Sequence, residues 1–300
     1  MKKKTYLFAL MAMALTLGSC SDNENGIGGE TSKYITVSTS IGNMTRVATD
    51  EKGGQTFEEG DEISVYAWTG DATVAPETSE RVVNNAINKL TNGSWVSTPQ
   101  MLWKNNRDKH YFIGVYPISA ISDLSAGEYT FDVNKQTESD LLVAVNKDGL
   151  SYNVDEQQPV PLTFTHVMAK LVVNLTYKNQ WGGIPTVEKV VVGNAAKEAT
   201  INYLTKVVTP STTAKEDFSL PEITENTKYV SIIIPQEEVK QLTIVIGGKN
   251  YIYDNGTPFK LESGKITTIN LEVGRDEIKL GDVKITDWEN GSTFSGEALN

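Results

Sequence analysis

The fold class predicted is all-β, as two antiparallel β-sandwiches in tandem behind a leader, and three observations predict it. Apolar and polar residues alternate with period two along most of the 300-residue chain. Short turn signals separate the alternating runs, among them Asn92-Gly93, Lys147-Asp148-Gly149, Gly247-Gly248-Lys249-Asn250 and Asn255-Gly256. Two runs, Asp140 to Val145 and Val230 to Pro235, are apolar on both sides, which suits central strands covered on both faces.

The first element is the leader. Lys2, Lys3 and Lys4 precede an apolar run from Tyr6 to Leu17, long enough for an export signal and short of the roughly 20 residues a spanning helix needs. The run ends at Leu17-Gly18-Ser19-Cys20, which holds the chain's lone cysteine. One thiol cannot form an intrachain disulfide, and with two histidines in the chain the cysteine-based zinc and redox patterns are excluded. The tetrapeptide resembles the lipobox of bacterial lipoproteins. That resemblance implies cleavage between Ser19 and Cys20 and lipidation of Cys20, whose acyl chains contribute about 0.8 kcal/mol per buried methylene to membrane anchoring. Residues 1–19 are therefore expected to be a lipoprotein signal peptide.

Residues 20–32 form the second element, a Gly-rich, acidic tether whose reach as a flexible coil is on the order of 20 Å. Its SDNENG start looks like the acidic signal that sends Bacteroidetes lipoproteins to the cell surface. Two β-sandwich domains follow, expected at 33–160 and 161–300. The net charge of −11 becomes about −14 once the three leader lysines are lost, a balance that repels nucleic acid and anionic lipid.

In the first sandwich, Ile35, Val37 and Ile41 share one face of the opening strand, and Tyr129, Phe131 and Val133 share one face of a later one. Val82, Val83, Ala86, Ile87 and Leu90 are spaced as on a helix, while Asn92-Gly93 followed by Trp95 favours a hairpin; both readings stay open. From Leu162 to Tyr177 the alternation changes phase near Thr165 and His166. Either a bulge sits there or the chain passes from one sandwich to the next. Pro159 and Pro161 place the boundary near residue 160. In the second sandwich, Thr267, Ile269, Leu271 and Val273 alternate with polar partners.

Catalytic groups are hard to find. His110 and His166 have no partner at motif spacing, and GKIT at Gly264 lacks the glycine and hydroxyl of a phosphate loop. The run Glu58-Glu59-Gly60-Asp61-Glu62 reads as a charged turn at a sheet margin rather than a glycosidase pair. Five tryptophans, Trp68, Trp95, Trp103, Trp181 and Trp288, are read as core in the first instance and as sugar-stacking platforms in the second. The expectation is a protein that is not an enzyme, with no cofactor and no metal.

Several segments together resemble the Bacteroidetes fimbrillin family, the Mfa-like and FimA-like pilins. They are Met44 to Asp50 (MTRVATD), Phe57 to Ala67 (FEEGDEISVYA), His110 to Pro117 (HYFIGVYP), Asp140 to Ala144 (DLLVA), Leu162 to Leu171 (LTFTHVMAKL), Glu262 to Lys265 before ITTINLEV, and Ile285 to Trp288 (ITDW). Ser64 and Ile113-Gly114 are mild departures that touch packing. The resemblance implies transthyretin-like sandwiches, export as an outer-membrane lipoprotein, and incorporation into surface fimbriae that support adhesion. It also implies cleavage by an arginine-specific protease, for which the matching bond is Arg46-Val47.

Cutting there would free the opening strand with Ile35, Val37 and Ile41. Each buried side chain is worth about 1.5–3 kcal/mol, so the vacancy calls for another subunit's strand. Partners are then other fimbrial subunits joined by β-strand addition, the protease, the outer membrane through the lipid, and a host or glycan ligand, with no nucleic acid. The tail after Trp288 would be the donor strand, though only Phe294, Ala298 and Leu299 are apolar in it, which leaves a tip or accessory role open. The alternative reading is a surface glycan-binding lipoprotein of a nutrient-uptake system.

Overall fold

The computed structural model describes residues 33–42, 56–153 and 158–288. The first half contains β1 (Val37–Ile41), β2 (Glu62–Thr69), β3 (Arg81–Thr91), β4 (Ser94–Thr98), β5 (His110–Tyr116), β6 (Gly127–Thr130), β7 (Leu142–Leu150) and β8 (Val160–His166). The second contains β9 (Ala169–Tyr177), β10 (Val187–Ala196), β11 (Glu198–Asn202), β12 (Val207–Pro210), β13 (Lys215–Ser219) and β14 (Glu222–Thr224). It continues with β15 (Lys228–Ile233), β16 (Gln241–Ile246), β17 (Lys249–Asp254), β18 (Lys265–Val273) and β19 (Ile278–Asp287). The fold is all-β: among the described residues the α-helix amounts to one turn, Gln136–Ser139.

Seven strands form the first sheet in the order β1-β8-β7-β5-β2-β3-β4. Strand β2 shows why the sheet carries a core on each face. Ile63, Val65 and Ala67 point to one side and join Ile35, Val37, Ile41, Phe112, Leu162 and Phe164 in one apolar cluster. Tyr66 and Trp68 point to the other and join the cluster that runs on into the second half. The first cluster draws nearly all its members from this single sheet, so the sheet curls around it until its two edge strands, β1 and β4, approach each other.

The hairpin reading of residues 81–98 is the one observed. Strands β3 and β4 pair directly, and the turn residues Asn92 and Gly93 have φ of 52° and 73°, the doubly positive pair that a two-residue hairpin turn requires. The phase change at Thr165 and His166 is a change of sheet. Strand β8 completes the seven-stranded sheet, and after Val167-Met168 the chain becomes β9, an interior strand of a five-stranded sheet ordered β14-β15-β9-β18-β19. Residue 160 is thus the first residue of the last strand of the first sheet.

In the second half, Leu171 and Val173 of β9 and Ile269 and Leu271 of β18 share a cluster with Val190 and Val192 of β10 and Leu242 and Ile244 of β16. The last two strands belong to a four-stranded sheet, β13-β10-β16-β17, which makes this half a two-sheet sandwich. A three-stranded sheet, β12-β11-β6, joins one strand of the first half to two of the second. Gly127 opens β6 there because a Cβ would stand 2.5 Å from the ring of Tyr203.

Candidate assembly groove

Strand β1 lies at the margin of the curled sheet. It runs parallel to β8, with Val37 beside Val160 and Ile41 beside Phe164. Backbone bonds extend the pairing at both ends: Val160 N–H donates to Thr36 O and Gly42 N–H to Phe164 O, each at 2.8 Å. Ahead of the strand, Ile35 N–H donates to Met101 O and Trp103 N–H to Lys33 O, each at 2.9 Å. Its inner face is buried, with Ile35 at 1%, Val37 at 6% and Ile41 at 7% exposure. The predicted trio therefore sits together, facing the curl.

The floor beneath Ile41 is aromatic. Phe57 meets Trp95, Tyr116 and Phe164 edge to face, with ring centroids 5.3, 5.4 and 5.1 Å apart. Burial, with Asp61 nearby as the second cause, pushes the Tyr116 phenol up to about 12. Phe164 reaches this position because residue 114 has no side chain: a Cβ on Gly114 would lie 2.6 Å from Phe164 Cζ. The glycine in HYFIGVYP thus makes room for the aromatic strand on which β1 rests. Ser64, the other departure from the family pattern, is fully buried and accepts a hydrogen bond from Ser119 N–H at 2.8 Å.

The outer margin of β1 faces the β3–β4 hairpin across a groove of about 660 Å³, lined by Thr36 to Ile41 on one side and by Phe57, Leu90, Gly93 and Trp95 on the other. One side chain crosses it. Trp95 Nε1–H donates to Thr39 Oγ1 at 3.0 Å, linking the two margins of the same sheet. Thr39 shares the phase of Ile35, Val37 and Ile41, and sequence reasoning passed over it because it is polar; its place in the alternation was the available signal.

The remaining candidates are dispersed. Cys20, Ser19, Arg46 and Val47, and the tail residues Phe294, Ala298 and Leu299, lie outside the described residues. His110 is the first residue of β5 and fully buried. Its Nε2 accepts from Lys104 N–H and its Nδ1–H donates to Asp108 O, both at 3.0 Å, and burial holds its pKa below the ordinary histidine value. Glu59 accepts from the N–H groups of Asn92 and Gly93 at 2.7 and 3.4 Å, so this acid caps the hairpin turn. Gly264 is a turn residue whose N–H donates to Met168 O. None of the five tryptophans is exposed. No group of side chains suited to a metal ion occurs among the described residues.

A second constellation brings four family-like segments together at the sheet change. His166 Nδ1–H donates to Asp140 Oδ1 at 2.7 Å, and the imidazole stacks on Trp288 at 3.9 Å between centroids and 5° between planes. Lys170 Nζ lies 5.4 Å from the same indole, and burial lowers its pKa. Trp288 N–H donates to Gly264 O at 3.0 Å, which fastens the end of β19 to the turn before β18. The segments DLLVA, LTFTHVMAKL, Glu262 to Lys265 and ITDW meet here, a junction that their separation in sequence concealed.

Comparison with known proteins agrees with this architecture. The family model for fimbrillin-like proteins matches residues 45–288. Fim1C, described as a fimbrium subunit of Bacteroides uniformis, is 26% identical over 326 residues, covering 99% of this chain and all of that one. Among solved structures, a protein assigned to cell adhesion from Bacteroides uniformis superposes with a TM-score of 0.61 at 20% identity, over 85% of this chain and 99% of that one. Another from Bacteroides ovatus gives 0.62 at 19% identity, over 86% and 98%. The overall fold is thus shared with these solved structures, and the family match over residues 45–288 shows that the chain belongs to the fimbrillin-like family.

Proposed function

We propose that this chain is a structural subunit of surface fimbriae, exported as a lipoprotein on Cys20, cut at Arg46-Val47 by an arginine-specific protease, and joined to its neighbour by a strand that takes the place of β1. The observation that carries the reading is the position of β1: a marginal strand that seats Ile35, Val37 and Ile41 in an apolar cluster. It shares its ladder with β8 and, through residues 33–35, a short bridge with residues 101–103. Its departure leaves every other strand pairing intact.

The energetics favour replacement over vacancy. Emptying the seat exposes the slots of Ile35, Val37 and Ile41, at about 1.5–3 kcal/mol for each side chain, and leaves the margin of β8 unpaired. A strand from another subunit restores both terms, with backbone pairing supplying strength and alternate side chains supplying fit. Adhesion follows from the filament such joints would build.

The test is strand exchange on the full chain without its lipid. Arginine-specific proteolysis is expected to release a fragment ending at Arg46, after which the nicked protein takes up a fluorescent peptide of residues 34–42 added in trans. An Arg46→Ala chain that takes up the peptide equally well overturns the maturation step.

A further inference from the structure

We infer that Trp95 reads the register of the strand occupying the groove, and that the strand it accepts from a neighbour carries a side-chain hydrogen-bond acceptor at the third of four inward positions. The inference rests on the strand-replacement reading above. Its starting point is the occupant seen in the groove: Ile35, Val37, Thr39 and Ile41 point inward in sequence, three apolar groups and one hydroxyl.

Backbone pairing by itself does not fix where such a strand stops. A parallel ladder looks the same after a slip of two residues, because the slip keeps the same side chains facing inward. The apolar slots are forgiving too, since Ile and Val differ by one methylene. Position 39 is the exception. At the registered position Trp95 Nε1–H finds Thr39 Oγ1 at 3.0 Å. A slip of two residues sets an aliphatic side chain against that N–H and drives the hydroxyl into an apolar slot. Both changes strand a polar group in a half-buried setting, where a missing partner costs about 1–3 kcal/mol. A single polar position within an apolar seam sets register in the same way in coiled coils.

The rule describes the partner. It is an extended segment reading apolar-x-apolar-x-acceptor-x-apolar, the acceptor being Ser, Thr, Asn or Asp, running parallel to β8. Residues 289–300 hold no such run: one phase reads Phe294, Gly296, Ala298, and the other Thr293, Ser295, Glu297, Leu299. The fitting strand is therefore a segment with that pattern, and not residues 289–300 of a second copy.

The test uses the nicked full chain and three fluorescent peptides: residues 34–42, the same peptide with Thr39→Val, and residues 289–300. The native peptide is expected to bind about tenfold more tightly than the Thr39→Val peptide, the equivalent of one lost hydrogen bond, and the 289–300 peptide no better than the latter. In the Trp95→Phe protein the two 34–42 peptides should bind within about twofold of each other. Equal binding of those two peptides by the wild-type protein overturns the register role of Trp95 whether or not the Trp95→Phe protein folds, while leaving strand replacement standing. Binding of the 289–300 peptide as tight as that of the native one overturns the assignment of the partner. Binding of none of the three overturns strand replacement itself.

Discussion

Strands β1 and β19 are both marginal, one in each large sheet, and they are held in opposite ways. The first is five residues long, and its inner side chains Val37 and Ile41, with Ile35 just ahead of it, are buried. The other is ten residues long and pairs with β18 along its length. Yet its inward residues Leu280, Val283 and Ile285 remain 37%, 39% and 38% exposed, although their ladder neighbours Leu271, Ile269 and Thr267 are buried. A long ladder does not make a well-anchored strand. Backbone hydrogen bonds exchange with bonds to water for a net of about 0.5–1.5 kcal/mol each, whereas burial separates a plug from a flap. The flap is fastened by the residue that follows it, the buried Trp288.

That contrast can be broken from either side. Trp288→Ala should have the largest effect, a loss of about 3–5 kcal/mol in urea unfolding, with faster hydrogen exchange through β19 and unchanged exchange in β1. Ile41→Ala should cost about 2–5 kcal/mol by the same measurement, and here exchange quickens in β8 instead. Gly114→Ala should cost about 1–3 kcal/mol by pushing Phe164 out of its place under β1. At the small end, Ile285→Ala should cost under about 1 kcal/mol; a loss as large as that of Ile41→Ala would erase the distinction between the two margins.

Acid should also separate them. His110 packs edge to face on Trp103, which bonds the chain ahead of β1 at Lys33. Its folded pKa is lowered, so stability is full above the unfolded value of about 6.5 and falls as pH drops below it, because the unfolded chain then binds the extra proton. Protonation also removes the Nε2 acceptor used by Lys104 N–H. Melting curves between pH 7.5 and 5 should show a steeper loss for wild type than for His110→Gln, with the early exchange confined to the head of β1.

Much of the architecture was readable in the residues because half-buried strands write their burial as alternation. The plug, β9 and β18 all follow from Ile35, Val37 and Ile41, from Leu171 and Val173, and from Ile269 and Leu271. What misled was local. In β3 the buried positions step from Val83 to Ala86 across Asn85, whose φ of 55° marks a bulge. One extra residue there turns a spacing of two into three and imitates a helix. What stayed hidden was long-range: no local pattern announces that β1 lies parallel to β8, that β6 joins β11, or that Trp95 reaches Thr39. The groove's apolar half was therefore predictable and its polar contact was not.

The parallel sense of β1 and β8 has one last consequence. If the proposed replacement keeps the parallel sense of β1, and each chain gives its strand to a different neighbour from the one whose strand it takes, the joints are all head-to-tail. A fibre built by such joints would have two chemically different extremities and would lengthen as an arrow does, with its tip and its base distinguishable from the first link onward.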